Sequence, residues 1–251
     1  MKFASLGSGS AGNSLVVSDG STTLMIDCGF STREAERRLA AVGLDPKDID
    51  AVLVTHEHGD HAGGVGRFCS RHDIAVYATA GTAKAANLEM VDAHVLTSEH
   101  TVMIGNMSVT PVTVPHDARE PCQFVVEHAG RRLGVLTDLG SVSNLVQQHY
   151  AQCDALILEF NHDPDMLAAG SYPYPLKRRV GGDWGHLNNA QAASLLERVE
   201  LGALQHLVAA HLSEHNNCPN KVRSLLDNTL RHDNNRVIAD QQNGFNWLEL
   251  S

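Results

Sequence analysis

The chain has 251 residues, a formal charge of −10 and 43% hydrophobic content, which suits one α/β domain with a sizeable core and excludes a broad basic nucleic-acid surface. No apolar run approaches the ~18 residues of a membrane span, and Met1 to Gly9 lacks the apolar core of a signal peptide, so a soluble cytoplasmic protein is expected. Five cysteines (Cys28, Cys69, Cys122, Cys153, Cys218) without C-x-x-C spacing read as reduced thiols in the core rather than as a disulfide framework or a ligand set.

In chain order, Lys2 to Leu6 and Ser14 to Ser18 read as strands around the glycine-rich turn Gly7 to Asn13. That turn leads into a strand with no helix behind it, so it is neither a P-loop nor a dinucleotide-binding turn; a structural role and a site-lining role weigh equally. Thr22 to Ile26 forms the next strand and ends at Asp27-Cys28-Gly29. Ser31-Thr32-Arg33-Glu34 reads as a capping box that opens a helix through about Ala41, stopped by Gly43. Ala51 to Val54 is a short buried strand that runs into Thr55-His56-Glu57-His58-Gly59-Asp60-His61. This places four metal-ligating side chains, His56, His58, Asp60 and His61, within six residues. Ligands at the end of a buried strand are held rigidly while their tips stay free to coordinate, and Ala62-Gly63-Gly64 lets backbone approach closely. A solvated turn rich in His is the bland alternative. Imidazole with carboxylate suits Zn²⁺ first, and also Mn²⁺ or Fe.

Ile74 to Tyr77 reads as another strand and Thr82 to Met90 as a short helix. Strands follow at Thr101 to Ile104, Ser108 to Val114, Gln123 to Glu127 and Arg132 to Leu136, the last two joined around Gly130. Helices are expected at Val142 to Tyr150, from the Asn188-Asn189 cap through Val199, and from Pro219 with Val222, Leu225, Leu226 and Leu230 on one face. Short strands near Arg236 to Ala239 and Phe245 to Leu248 close the chain, and no linker divides residues 1–251. Strand ends repeatedly deliver ligand chemistry: His116 after Val114, Asp138 after Leu136, Glu159 after Leu158, His211 after Ala210. One such residue is ordinarily a surface or hydrogen-bonded core group. Their repetition points to layered sheets whose strand ends converge on a cleft.

Asp27, His56-x-His58-x-Asp60-His61, His116, Asp138 and His211, in that order, resemble the ligand series of the metallo-β-lactamase superfamily. The resemblance implies an αββα sandwich with two divalent metal ions at the strand ends. It assigns His56, His58 and His116 to one metal, Asp60, His61 and His211 to the other, Asp138 as the bridge and Asp27 as an anchor behind the ligands. The carboxylate at Asp138 matches the phosphodiesterase and thioesterase branches and disfavours a β-lactam substrate. Glu159 and the Gly185-His186-Leu187-Asn188 stretch are similar to the Glu and His elements of tRNase Z, which implies His186 as proton donor and Glu159 as its orienting partner. No long tRNA-gripping insertion is recognisable, so tRNA processing is disfavoured. The wording of Gly7 to Ser14, Glu159 to Asp163, Tyr172 to Lys177 and His211 to Ser213 is most similar to the bacterial YycJ (VicX, WalJ) subgroup, which is linked to 5′-to-3′ DNA exonuclease activity.

Chemistry points the same way. Two metals about 3.5–4 Å apart generate a bridging hydroxide near neutral pH and neutralise phosphoryl charge, while His186 returns a proton to the leaving alkoxide and Asp60 and Glu159 complete the catalytic set. Without the resemblance, His186 would read as a helix-start residue with no chemistry. Lys177 and Arg178, with Tyr174 from the Tyr-Pro-Tyr-Pro run, are candidate substrate contacts for phosphate and base; a solvated Pro-rich loop weighs equally. The roles of His162 and His215 are left open. The expected partner is nucleic acid, DNA ahead of RNA, and not a membrane. A small cyclic-nucleotide or dinucleotide phosphodiesterase, a thioesterase and a metal-containing regulatory protein without required turnover are the alternatives.

Overall fold

The apolar runs that read as buried strands are continuous because both of their faces are covered. The computed structural model describes residues 1–230 and 234–251. The first half supplies β1 (Lys2–Gly7), β2 (Ser14–Ser18), β3 (Thr23–Ile26), α1 (Thr32–Ala41), β4 (Ala51–Leu53), α2 (Gly59–Ala62), α3 (Val65–His72), β5 (Ala75–Thr79), α4 (Ala80–Ala85) and β6 (Ala93–Leu96). The second supplies β7 (Val102–Ile104), β8 (Met107–Thr113), β9 (Cys122–His128), β10 (Arg131–Leu136), α5 (Asn144–His149), β11 (Ala155–Glu159), α6 (Pro164–Ala169), α7 (Tyr174–Val180), α8 (Asn189–Arg198), β12 (His206–Ala210), α9 (Pro219–Thr229), β13 (Asn235–Ile238) and β14 (Phe245–Glu249).

Among the described residues two seven-stranded sheets result, ordered β14-β1-β2-β3-β4-β5-β6 and β13-β12-β11-β10-β9-β8-β7. Successive side chains alternate between layers, as the pleat requires. Phe3, Leu15, Val17, Leu24, Ile26 and Leu53 meet Phe124, Leu133, Ile157 and Val208 in the core between the sheets. The alternate residues Ala4, Val16, Met25 and Val52 pack outward on Ala35 and Leu39 of α1 and Phe68 of α3. On the other side, Leu136, Leu156, Leu158 and Leu207 pack outward on Val146, Leu195, Leu196, Val222 and Leu226. This is the expected αββα sandwich.

Strand direction brings the site together. β3, β4, β5 and β6 are mutually parallel, and so are β10, β11, β12 and β13. Parallel neighbours end on the same edge, which is where ligand sites of such sheets form. Asp27 therefore leaves β3 beside the Thr55 to His61 segment leaving β4, while Asp138, Glu159 and His211 leave β10, β11 and β12 side by side. β8 is antiparallel to β9, itself antiparallel to β10, so β8 delivers His116 to that edge too.

Most expected elements lie within a residue or two of their places, but four readings need correction. Ser31 caps α1 by accepting from the Glu34 backbone N–H, yet Glu34 does not return the bond, because its carboxylate is taken by Arg37 and Arg38. The helix expected over Thr82 to Met90 starts at Ala80 and stops at Ala85, where Asn87 turns left-handed (φ 53) before a 3₁₀ turn at Leu88–Met90. Segment 172–179 is not a Pro-rich loop throughout: Pro173 and Pro175 preset φ for a first turn, and Tyr174–Val180 is helix α7. The glycines after the His-rich stretch hid α3, which buries Val65, Phe68 and Cys69 at helical spacing. Among the described residues no helix is long and apolar enough to cross a membrane.

Candidate metal centre

Thr55 and Asp27 form the foundation of the site. Both are buried, and Asp27 sits in the left-handed region (φ 60), a strained conformation for a non-glycine residue. Its carboxylate accepts the Thr55 N–H (2.8 Å), the Thr55 hydroxyl (2.7 Å) and His61 Nδ1 (2.8 Å). The bend passes close to the His-rich turn: a Cβ on Gly29 would lie 1.8 Å from the Asp60 carbonyl, and one on Gly64 would lie 1.8 Å from that of Phe30. Only glycine permits these approaches.

Fixed acceptors set the ring tautomers. A carboxylate or carbonyl can only accept, so His61 Nδ1 carries the proton given to Asp27, His116 Nδ1 the proton given to the Gly185 carbonyl (3.0 Å), and His211 Nδ1 the proton given to Glu159 (3.1 Å). The Thr55 hydroxyl is already donating to Asp27, so it accepts from His56 Nδ1 (3.0 Å). In all four rings Nε2 is the atom that carries the lone pair, that of His61 being faced by Asn13 Nδ2 (3.0 Å); this is the arrangement that orients metal-binding imidazoles.

Those atoms gather closely. His56 Nε2 and His116 Nε2 lie 3.0 and 3.3 Å from His58 Nδ1. Asp60 Oδ2 lies 3.6 Å from His61 Nε2 and 3.5 Å from His211 Nε2, and Asp138 Oδ2 lies 3.1 Å from His61 Nε2. Ligand distances of 2.0–2.2 Å give a tetrahedral edge of about 3.3–3.6 Å; the spacings at 3.3, 3.5 and 3.6 Å fall in that range and those at 3.0 and 3.1 Å lie just below it, so the atoms are placed to converge on a cation. Asp138 Oδ2 and His211 Nε2 are buried without a hydrogen bond of good geometry, which is the orphaned state a metal would relieve. His56, His58 and His116 form one group able to hold an ion and Asp60, His61 and His211 another, while His56, His61 and Asp138 link the two. The residues present fit two adjoining metals.

The electrostatics agree. Burial, reinforced by neighbouring imidazoles, holds His56 well below the ordinary histidine value, so it is a neutral donor. Burial opposes charge at His211 and His61 as well, but Asp138 leads the surrounding carboxylates in outweighing it, lifting His211 to about 10 and His61 well above its usual value. Four carboxylates near these rings, Asp27, Asp60, Asp138 and Glu159, draw in positive charge, which a divalent ion would supply.

Glu159 and His186 stand beside this cluster. Glu159 is buried and spends both oxygens: Oε1 accepts from His186 Nδ1 (2.7 Å) and His211 Nδ1, and Oε2 accepts the N–H groups of Leu187 (3.0 Å) and Leu139 (3.3 Å). Glu159, His186, Asp138 and His211 are near enough to hold an ion themselves. The four bonds consumed by Glu159 make it an orienting group instead. His186 lies with its ring 5.2 Å from that of His116 and 5.3 Å from that of His211; it is partly exposed and its Nε2 has no hydrogen bond among the described residues, which leaves that atom open to a substrate. Burial opposes its charge but the Glu159 carboxylate wins, raising its pKa.

The candidate substrate contacts are more spread out. Tyr174, Lys177 and Arg178 line a groove of about 480 Å³ floored by His162, and Lys177 Nζ donates to the Ala168 carbonyl (2.6 Å). His162 is buried with Nδ1 facing Asn161 Oδ1, and His215 is exposed, edge-on to Tyr172. The third cation of the run, Arg179, comes nearest the centre: it pairs with Asp117, the neighbour of His116, and feels the charge of Asp60. Supporting residues were also missed. Asn13 Nδ2 contacts His61 Nε2 (3.0 Å) and the Asp60 carbonyl (3.3 Å), Ser8 Oγ accepts the His211 N–H (2.8 Å), and Asn161 donates to the His211 carbonyl (3.1 Å). The signal for Ser8 and Asn13 was the glycine-rich turn itself, which lines the site from behind; Asn161 follows β11, two residues after Glu159.

A model of the beta-lactamase superfamily domain matches residues 22–212, a span that contains every one of these residues except Ser8 and Asn13, which precede it, and the exposed His215, which follows it. The chain belongs to the metallo-β-lactamase superfamily. Within this superfamily it is 33% identical to exodeoxyribonuclease YycJ of Bacillus anthracis, over 92% of this chain and 89% of that one. It is 32% identical to exodeoxyribonuclease WalJ of Streptococcus pneumoniae, over 91% and 88%. The Zn²⁺-bound PqqB of Methylobacterium extorquens shares the metallo-β-lactamase fold across the full length of both chains (TM-score 0.75, 18% identity).

Proposed function

We propose that this protein is a cytoplasmic, dinuclear metal-dependent phosphodiesterase, and that it acts as a 5′-to-3′ DNA exonuclease. The observation that carries the reading is the pairing of two ligand groups joined through Asp138 with a proton-bearing His186 held by Glu159 at their open side. The kinship with YycJ and WalJ supports a nucleic-acid substrate. In this reading His56, His58 and His116 hold one ion, Asp60, His61 and His211 the other, and Asp138 both; zinc suits the set, as do manganese and iron. When bound, two such ions activate water near neutral pH and neutralise phosphoryl charge.

The remaining work falls to side chains. Asp60 holds its place through Asn13, and Asp27 fixes the orientation of His61. His186 donates its Nε2 proton to the leaving oxygen, and the Glu159 carboxylate both aims the ring and favours the protonated form. Lys177, Arg178 and Tyr174 receive the strand along α7, with phosphates on the cations and bases on the ring.

Time-resolved cleavage of 5′-labelled single- and double-stranded DNA and RNA oligonucleotides of increasing length, by metal-reconstituted protein, tests the proposal. Mononucleotide release from the 5′ end of DNA, abolished in Asp60→Ala, is the expected result. Activity that falls as length rises would replace the exonuclease with a small-molecule phosphodiesterase, and no cleavage by a dinuclear preparation would sink both.

A further inference from the structure

The chain has two tryptophans, and their surroundings differ sharply. Trp247 is half-buried, donates Nε1–H to the Val42 carbonyl (2.9 Å) and lies under the Lys2 ammonium (4.6 Å). Trp184 is 63% exposed. Among the described residues its ring has no stacking or cation partner and its N–H no acceptor. An isolated exposed aromatic is common and by itself means little. The backbone that carries Trp184 is what sets it apart.

The turn from Gly181 to His186 is pinned on every side. Gly185 N–H donates to Gly182 (2.8 Å), His186 N–H to Val180 (2.8 Å), and the Ser141 hydroxyl to the Asp183 carbonyl (3.1 Å). The Gly185 carbonyl accepts from His116 Nδ1, so the residue after Trp184 orients a proposed metal ligand, and the residue after that is His186. A Cβ on Gly185 would lie 2.0 Å from the Arg179 carbonyl, and one on Gly140 would lie 2.4 Å from that of Asp183. The structure thus holds an unpartnered indole on a rigid turn at the lip of the centre. Ring planes presented this way lose little freedom on binding.

The charge beside it selects the occupant. Lys177, Arg178 and Arg179 end helix α7 directly before this turn, and the exposed Arg178 guanidinium has no partner among the described residues. Cations next to a bare aromatic face suit a ligand that alternates phosphates with planar apolar groups. We propose that Trp184 is a nucleobase-stacking platform, taking the base adjacent to the phosphodiester engaged at the metal centre. This rests on the phosphodiesterase reading above.

The test combines fluorescence with a cycle of protein and substrate changes. Tryptophan emission of wild type and W184F is followed on titration with a cleavage-resistant phosphorothioate oligothymidylate and with its abasic counterpart. Quenching by the oligothymidylate, absent with the abasic strand and absent in W184F, is expected. On cleavable single strands W184A should raise KM by about 10- to 100-fold with kcat within about threefold, W184F should recover most of that loss, and W184A should no longer distinguish a strand whose terminal base is removed. Cleavage with no base-dependent quenching, or an unchanged KM in W184A, would overturn the platform while leaving the nuclease intact. Base-dependent quenching by a protein that cleaves no polymer would support the platform and remove the nuclease.

Discussion

The two halves of the candidate metal centre are built in different ways. His56, His58, Asp60 and His61 come from one short segment after β4, placed by α2 and by two glycine contacts. His116, Asp138, Glu159, His186 and His211 come from separate segments of the second half, brought together by strand direction and register. A local cluster depends on the backbone of a few residues, whereas a distributed one depends on the whole sheet. A single loss in the local half should therefore cost less bound metal than one in the distributed half, whose Asp138 and Glu159 each serve several partners.

Asp138→Ala gives the sharpest test of that difference. It should lower kcat/KM by about 10³-fold or more and bring bound metal below one ion per chain by elemental analysis, because both ligand groups lose their common member. His58→Ala should leave one ion in place; equal metal loss in the two variants would erase the distinction.

His186→Ala should lower kcat by about 10²- to 10⁴-fold with two ions retained, since His186 lies outside both ligand groups. Loss of metal in this variant would move His186 into the ligand set, the arrangement its nearness to Asp138 also permits.

Asp27→Asn should weaken metal affinity by about 10- to 100-fold in a competition titration, with kcat recovered at saturating metal. The effect is smaller because Asp27 acts through His61 and Thr55. If kcat stays low at saturation, Asp27 does more than orient.

The smallest effect lies far from the centre. Arg37, helped by Arg38, holds the Glu34 carboxyl down at about 2 against a modest opposing effect of burial. A depressed folded pKa contributes stability that is present above the unfolded value near 4.3 and is lost as pH falls through about 2. Glu34→Gln should lower Tm by a degree or two, about what an exposed pair supports, by the same amount at pH 5 to 8, and the gap should close towards pH 2. A gap that persists at pH 2 would assign the loss to the helix cap.

Local signals carried a long way. The continuous apolar runs, the Asn188-Asn189 cap, the left-handed Gly43 beyond α1 and the His-rich segment all act over a few residues, and each was readable where it stands. The errors arose where a local signal had a distant competitor. Glu34 had the residues of a capping box, but Arg38, anchored on the Leu6 and Gln242 carbonyls, drew its carboxylate away. β6 escaped notice because its first three residues, including His94 and Val95, are exposed on an edge strand and carry no core pattern.

By itself the sequence determined where the buried apolar strands run and which side chains at their ends are candidate ligands, because apolar runs and side-chain chemistry are local properties. Only the tertiary structure decided which nitrogen of each histidine carries the lone pair, that Glu159 spends all of its bonds on orientation, that Arg179 is the cation of its run nearest the centre, and that Trp184 stands bare beside His186. These depend on carbonyls and carboxylates contributed by strands far apart in the chain, and no spacing along a sequence encodes which of them will meet.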